Sequence, residues 1–317
     1  MKLIISQFDA LRNYVSREFS FIIEQLIAQH GWTQIGTLQL WNRPGSLRQK
    51  LLDEFGQLPA TVLFWEGYEF LNAHAHEICR LDARKAILAD DLHWWNPAMR
   101  REKLVGFAIC DTVLSTYGYV WDEFYPELRR IKEVVWVPHS TSSDFMLSYN
   151  PRPDNSILLS GAMTSHYPLR RLMKTLHDRR AYAIAYHPHP GYHCAYDYEN
   201  DADVGRGYAQ KLNKHRAGFT DALIYGYVVA KYFEIPATGA LLLADAAVAR
   251  PLRELGFIED SHYVSVNREN LEDKIRYVLD EENHEALDHI RKKGQELIWE
   301  KHKTTDRAAQ IDAACAT

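Results

Sequence analysis

Short β-rich apolar runs alternate with longer amphipathic segments along this chain of 317 residues. That alternation admits little besides parallel α/β sheets covered by helices on both faces. The first round reads LIISQF (3–8), a helical 9–30, QIGTLQL (34–40), a helical 46–56 and TVLFWE (61–66). It continues with helical 68–82, KAILAD (85–90), helical 97–109, DTVLS (111–115), helical 117–131 and EVVWVP (133–138), which predicts one six-stranded Rossmann-like unit. Residues 139–155, HSTSSDFMLSYNPRPDN, have the Ser, Pro and Asn content of an interdomain loop. The alternation then restarts with SILLSG (156–161), helical 167–180, AYAIAYH (181–187), a polar loop 188–203, helical 205–216, DALIYG (221–226), helical 227–238 and ALLLAD (240–245). A helical 248–255, a strand around HYVSV (262–266) and charged helices across 270–315 close the chain. We place a first Rossmann-like domain at 1–140, a second at 141–300, and a C-terminal helix at 301–317 that packs back on the first. Two such domains facing across a cleft collect ligands at the carboxyl ends of their strands, where loops and helix N-termini converge.

Composition narrows the functional classes. With 46% hydrophobic and 25% charged residues the chain has an ordinary globular balance. A formal charge of −5 supplies no overall basic field for nucleic acid, although Arg100, Arg101, Lys103, Arg129, Arg130 and Lys132 are a local source of positive charge. Cys79, Cys110, Cys194 and Cys315 are scattered without CxxC spacing, so they are expected as free thiols in a reducing cytoplasm. The opening MKLIISQFDALRNYV is read as a first strand rather than a signal peptide, and no run reaches the ~18 apolar residues of a membrane span.

Chemistry-bearing residues gather just after the expected strands. In KYFEIPATGALLLAD (231–245), Glu234 has the place of a carboxylate that accepts ribose hydroxyls, or else of a solvated helix residue. Lys231 reads as a phosphate partner or a surface lysine, and Thr238 and Gly239 stand at the helix end. At the start of the second half, Gly161 follows a strand and a helix opens near Tyr167-Pro168. Free N–H groups there, with Arg170 or Arg171, would suit a diphosphate. HPHPGYH (187–193) holds three histidines, but two prolines and a glycine stiffen the loop and no metal is assigned to it. Asp201 and Asp203 read as a surface turn. In the first half, Asp90, Asp91 and His93 follow a strand, and a carboxylate beside an imidazole can take a proton from a hydroxyl. Adjacent aspartates need not face one way, and one of them reads as a turn former. Trp94 and Trp95 suit either a sugar platform or core packing, Glu66 follows the preceding strand, and His74 and His76 lie on different helix faces.

The segment K-x-F-E-I-P-A-x-G-A-L-L-L resembles the nucleotide-sugar site of GT-B glycosyltransferases (glycosyl transferases group 1), most closely the spore-maturation CgeB-like group. The resemblance implies an α/β GT-B architecture and a glycosyltransferase that moves a sugar from a nucleotide-sugar donor to an acceptor hydroxyl. Related retaining families carry two glutamates seven residues apart before A-x-G. Glu234 matches the second, which contacts the donor ribose, and the first falls on Gly226, so only the ribose role carries over. In the same group HPGY borders the base or sugar, which assigns His189 and Tyr192 to the donor, and Lys211 and Lys214 become phosphate candidates. WVPHSTSSDF (136–145) looks like a variant of the P-x-G-x-D-x-x-x-F element, which puts His139 and Ser140 at the mouth of the expected cleft.

The expected reaction is metal-independent, with a UDP-sugar as the expected co-substrate and no cofactor, because helix dipoles and cationic side chains can meet the leaving charge. The resemblance implies retention of configuration, while inversion with Asp90, Asp91 or His93 as base stays open. The acceptor is not read, and neither is the oligomeric state. A hydroxymethylated DNA base is one specific acceptor case. A nucleotide-sugar epimerase and a non-catalytic nucleotide-sugar-binding module are the rival classes.

Overall fold

The computed structural model describes residues 1–7, 11–130, 132–192 and 195–316. It divides into two units, each built on its own sheet. The first comprises Met1–Arg12, Phe19–Pro138 and Thr305–Thr317, and the second Asn13–Glu18 and His139–Thr304.

The first unit holds β1 (Lys2–Ser6), β2 (Trp32–Gly36), β3 (Thr61–Trp65), β4 (Arg84–Ala89), β5 (Thr112–Ser115) and β6 (Glu133–Trp136). Among the described residues they form one parallel sheet in the order β2-β1-β3-β4-β5-β6. Strands such as β1 and β3 bury nearly every residue, as a sheet covered on both faces requires. Ile4, Leu63, Leu88 and Leu114 pack on the helix Glu18–His30 through Ile22, Ile23 and Leu26, and on Ala308 and Ile311 of the C-terminal helix. The strand order reverses between β1 and β3, which makes their carboxyl ends the natural ligand edge of this sheet.

In the second unit β7 (Asp154–Gly161), β8 (Ile184–Pro188), β9 (His215–Thr220), β10 (Leu241–Asp245) and β11 (Val264–Val266) pair in parallel in the order β11-β10-β9-β7-β8. Leu159, Phe219 and Leu243 on the strands pack against Met173 and Leu176 of the helix Pro168–Asp178 and Ile275 of the helix Leu271–Leu279.

Several segments differ from their sequence reading. QIGTLQL was expected as strand to residue 40, but β2 ends at Gly36 and Thr37–Trp41 is helical, burying Thr37 and Leu40 one turn apart. HRAGFT, which spans the end of the expected helix 205–216 and the stretch before the short DALIYG segment, is the central strand β9, and DALIYG is the turn after it. Gly218 hides β9 from a propensity reading, yet it is needed there: a Cβ would sit 3.0 Å from Cγ2 of Ile235. The helix expected across 117–131 is broken into short pieces, one of which begins at Pro126. Phe8, Asp9 and Ala10, which belong to the expected first strand and helix, lie outside the described residues, as do His193 and Cys194. Of the described cysteines, Cys110 and Cys315 are buried, Cys79 is exposed and all three are free. No helix among the described residues is long and apolar enough to cross a membrane.

Candidate functional site

The second unit brings several of the sequence candidates together at the carboxyl edge of its sheet. Gly161 ends β7 with φ +101°, a conformation that side chains rarely adopt, and a Cβ there would meet Nη1 of Arg170 at 2.6 Å and Cε of Lys231 at 3.2 Å. The bare glycine thus lets both cationic side chains lie against the end of the strand. Lys231 Nζ donates to the Tyr208 hydroxyl at 2.9 Å and stands 3.9 Å from Glu234 Oε2. The Tyr208 hydroxyl also meets Ser160 Oγ at 2.6 Å.

Glu234 is 8% exposed, which removes the reading of a solvated helix carboxylate. Burial pushes its carboxyl up, Lys231 and His139 pull the other way, and Glu18 adds to the rise. Burial alone would lower the Lys231 ammonium, but Tyr208 and Glu234 outweigh it and hold the group above its usual range. The two side chains lie 3.9 Å apart in a dry environment, where each acts strongly on a polar ligand.

Arg170 is buried on Asp221, whose side chain is wholly buried at 3.4 Å. Its backbone N–H donates to Asp221 Oδ2 at 3.0 Å and its Nη1 to the Ala162 carbonyl at 3.1 Å. This corrects one expectation, because the Arg170 N–H at the start of the helix is capped by Asp221 instead of being left for a diphosphate. Burial raises the Asp221 carboxyl despite the opposing guanidinium. Arg171 is exposed and points to no partner in this cluster, so of the two arginines only Arg170 joins it.

His139 is also in this unit. Its Nδ1 lies 2.8 Å from Glu18 Oε2, while Glu18 Oε1 accepts from the Ser140 N–H at 2.5 Å and the Ser140 hydroxyl at 2.8 Å. Next to Glu18, Arg17 forms an ion pair with Asp144 at 2.8 Å and lies over the Tyr198 ring. On the HPHPGY loop, His189 Nδ1 accepts from the Gly191 N–H at 2.9 Å and its ring lies 4.3 Å from that of Tyr192, which is 62% exposed. Burial, with Lys231, Arg170 and His187, lowers the His189 imidazole to about 4, so it is neutral near pH 7. Lys211 pairs with Asp203, and Asp203 stands 3.7 Å from His187.

Thr238 and Gly239 have internal partners. The Thr238 hydroxyl donates to the Ile235 carbonyl, Asn213 holds the Thr238 carbonyl and Arg291 holds the Gly239 carbonyl. They end the helix Lys231–Ala237 and fix its packing, which leaves their polar groups committed within the fold.

A second group of candidates sits at the carboxyl edge of the first sheet. Asp90 Oδ1 accepts from Thr116 Oγ1 at 2.8 Å, Asp91 Oδ1 lies 3.7 Å from His93 Nδ1, and the ring of His93 stands edge-on to the exposed Trp95. Trp94 packs on Phe124 and Tyr125. Lys103 is buried and donates to the Asp91 carbonyl. Glu66 follows β3 in the left-handed region at φ 52°, and burial with Asp90 and Asp91 raises its carboxyl to about 7 against the pull of Lys103.

Sequence reasoning gave no role to Glu18, Tyr208 or Asp221. Asp221 follows β9 directly, so the rule that found the others would have found it had the strand been recognised. Among the described residues no group of three or more His, Cys, Asp or Glu could hold a metal ion.

Residues 168–313 match a family described as glycosyl transferase-like. No curated protein matches the chain in sequence. Among solved structures, sucrose-phosphate synthase from Thermosynechococcus elongatus is similar at 12% identity and a TM-score of 0.64, over 99% of this chain and 98% of that one. A glycosyltransferase from Rickettsia africae is similar at 11% identity and 0.63, over 100% and 98%. An α-glucosyltransferase in complex with UDP and a 13-mer DNA is similar at 10% identity and 0.63, over 100% of both chains. These likenesses show the two-domain GT-B fold of glycosyltransferases.

Proposed function

For this chain, a glycosyltransferase of the GT-B fold, we propose that it moves a sugar from a UDP-sugar to an acceptor hydroxyl, with residues 141–300 as donor domain and 1–140 as acceptor domain. The observation that carries the donor assignment is the buried cluster of Glu234, Lys231 and Arg170 at the end of β7, inside the matched segment. Glu234 accepts from the ribose hydroxyls. Lys231 and Arg170 face the diphosphate and meet the charge that develops on the leaving oxygen, so departure of the nucleotide needs no metal. His139, held by Glu18, donates to the sugar or the diphosphate, and the exposed Tyr192 ring with His189 borders the base. Asp90, Asp91 and His93 belong to the acceptor side. Retention of configuration is the stereochemistry we assign, and the free thiols Cys79, Cys110 and Cys315 fit a cytoplasmic setting.

A nucleic-acid acceptor receives little support, because Lys103 is buried on Asp91 and Arg100 pairs with Glu127, so these two cations are taken up within the first unit.

Incubation with UDP-, GDP- and TDP-sugars tests the reading. Release of free nucleotide supports transfer, a changed sugar supports an epimerase, and binding with neither supports a binding module. Glu234→Ala should weaken UDP-sugar affinity by about 10- to 100-fold, the loss of one or two hydrogen bonds to a charged group. Unchanged affinity by calorimetry with the fold intact would remove the ribose assignment.

A further inference from the structure

Three elements of the second unit meet at one hydroxyl. Tyr208 belongs to the helix Gly205–Lys214, and its oxygen lies 2.6 Å from Ser160 Oγ at the end of β7 and 2.9 Å from Lys231 Nζ at the start of the helix Lys231–Ala237. The ring behind that hydroxyl is held on two sides. His187 of β8 stacks on it with centroids 5.7 Å apart at 20°, and Phe145 stands edge-on at 5.9 Å. Tyr208 is buried, and a tyrosine turns on few side-chain torsions, so the packing of its ring sets where the hydroxyl sits.

A lysine is the opposite case. Its ammonium rides on a flexible four-carbon stem and takes its place from whatever accepts its hydrogens. An ammonium only donates, so the Tyr208 oxygen is the acceptor in its bond to Lys231, which leaves the phenol's own hydrogen for Ser160 Oγ.

We propose that Tyr208 is a positioning residue for the donor, whose hydroxyl holds the Lys231 ammonium at the end of β7 and off the Glu234 carboxylate. The inference rests on the donor reading above. Glu234 Oε2 is 3.9 Å from Lys231 Nζ, close enough to attract the ammonium and too far for a hydrogen bond. In a dry environment that attraction is strong, and without a competing acceptor the stem would let the two charges close on each other. A direct Lys231–Glu234 bond would occupy the carboxylate that the ribose hydroxyls need and withdraw the cation from the diphosphate. The Tyr208 hydroxyl takes one Lys231 N–H from the side of β7, and the N–H groups that remain are the ones the diphosphate accepts from. The ring adds to the hold, since Nζ also lies 4.5 Å from its centroid. One neutral side chain thus keeps two opposite charges apart, so that each serves its own part of the nucleotide.

Calorimetry of UDP binding to the full chain tests this on wild type, Tyr208→Phe, Lys231→Met and the double variant. Tyr208→Phe keeps the ring and its packing, and should weaken UDP binding by about tenfold. Lys231→Met should weaken it by about 10- to 100-fold, and the double variant should bind within about twofold of Lys231→Met alone, because the hydroxyl then has no ammonium to place. Tyr208→Phe binding within about twofold of wild type, or the two losses multiplying in the double variant, overturns the inference and leaves the donor reading standing. A Lys231→Met variant that binds UDP as wild type does, or a wild type that binds none, overturns the donor reading and the inference with it. Wild type alone supplies a measurement that a merely structural tyrosine would not pass. The nuclear Overhauser contact between the Lys231 Cε methylene and the Tyr208 ring should persist when UDP is bound, and its disappearance on addition of UDP overturns the inference.

Discussion

Glu18 Oε2 stands 2.8 Å from His139 Nδ1, and the other oxygen of the same carboxylate takes both the N–H and the hydroxyl of Ser140. All three residues are buried, so the pair is shielded from solvent and its partners have no water to turn to. Glu18→Ala leaves the Ser140 N–H without its acceptor and removes the anion beside the imidazole. A loss of about 3–5 kcal/mol is expected, the cost of breaking a buried pair from one side. Glu18→Gln keeps one acceptor oxygen and should lose about 1–2 kcal/mol. Urea unfolding of the two variants measures the difference, and a Glu18→Ala curve that overlays wild type would show that the contact has no energetic role.

Gly161 separates a backbone effect from a binding effect. At φ +101° any side chain is strained, and in Gly161→Ala the new Cβ would also press on Arg170, which Asp221 holds from the other side. We expect a stability loss of about 1–3 kcal/mol and UDP affinity weaker by about tenfold as Arg170 and Lys231 are displaced. Gly226→Ala is the matched control. Its φ of +67° imposes a backbone penalty of the same kind, but a Cβ there meets nothing within 4 Å, so UDP affinity should not move. Calorimetry on both variants distinguishes the two cases, and equal affinities would take the end of β7 out of the donor site.

What the sequence revealed follows from how far apart the partners lie along the chain. Lys231 and Glu234 were legible because one helical turn carries both and the next strand follows at once. Glu18 was not, since an acidic residue in the first turn of a helix is ordinary helix chemistry and its partners come 121 and 122 residues later. The central strand β9 was lost for a related reason. Gly218 and the charged His215-Arg216 start give no β propensity, and only the packing of Ile235 against the bare glycine explains the choice of residue. Thr238 and Gly239 show the opposite failure. They share a motif with Glu234, but the hydrogen bonds of Asn213 and Arg291 give them a structural task.

His189 contributes to the pH behaviour of the second unit. Burial and the cations Lys231 and Arg170, with His187, bring its imidazole from an ordinary 6.5 to about 4. The neutral ring is therefore the form that the folded chain accepts, and the unfolded chain takes up a proton first as pH falls. The contribution of His189 is fully present above about 6.5 and is lost progressively as pH drops towards about 4. Across that window the residue should account for no more than about 1 kcal/mol of lost stability, because solvent screens a partly exposed ring and cuts into the about 1.4 kcal/mol per pH unit that the full shift would give. His189→Gln, which cannot take up that proton, should flatten this part of the profile. Urea unfolding of both proteins at half-unit steps from pH 7 to pH 4 provides the comparison. Parallel profiles for wild type and variant would mean that the acid sensitivity of the unit comes from groups other than His189.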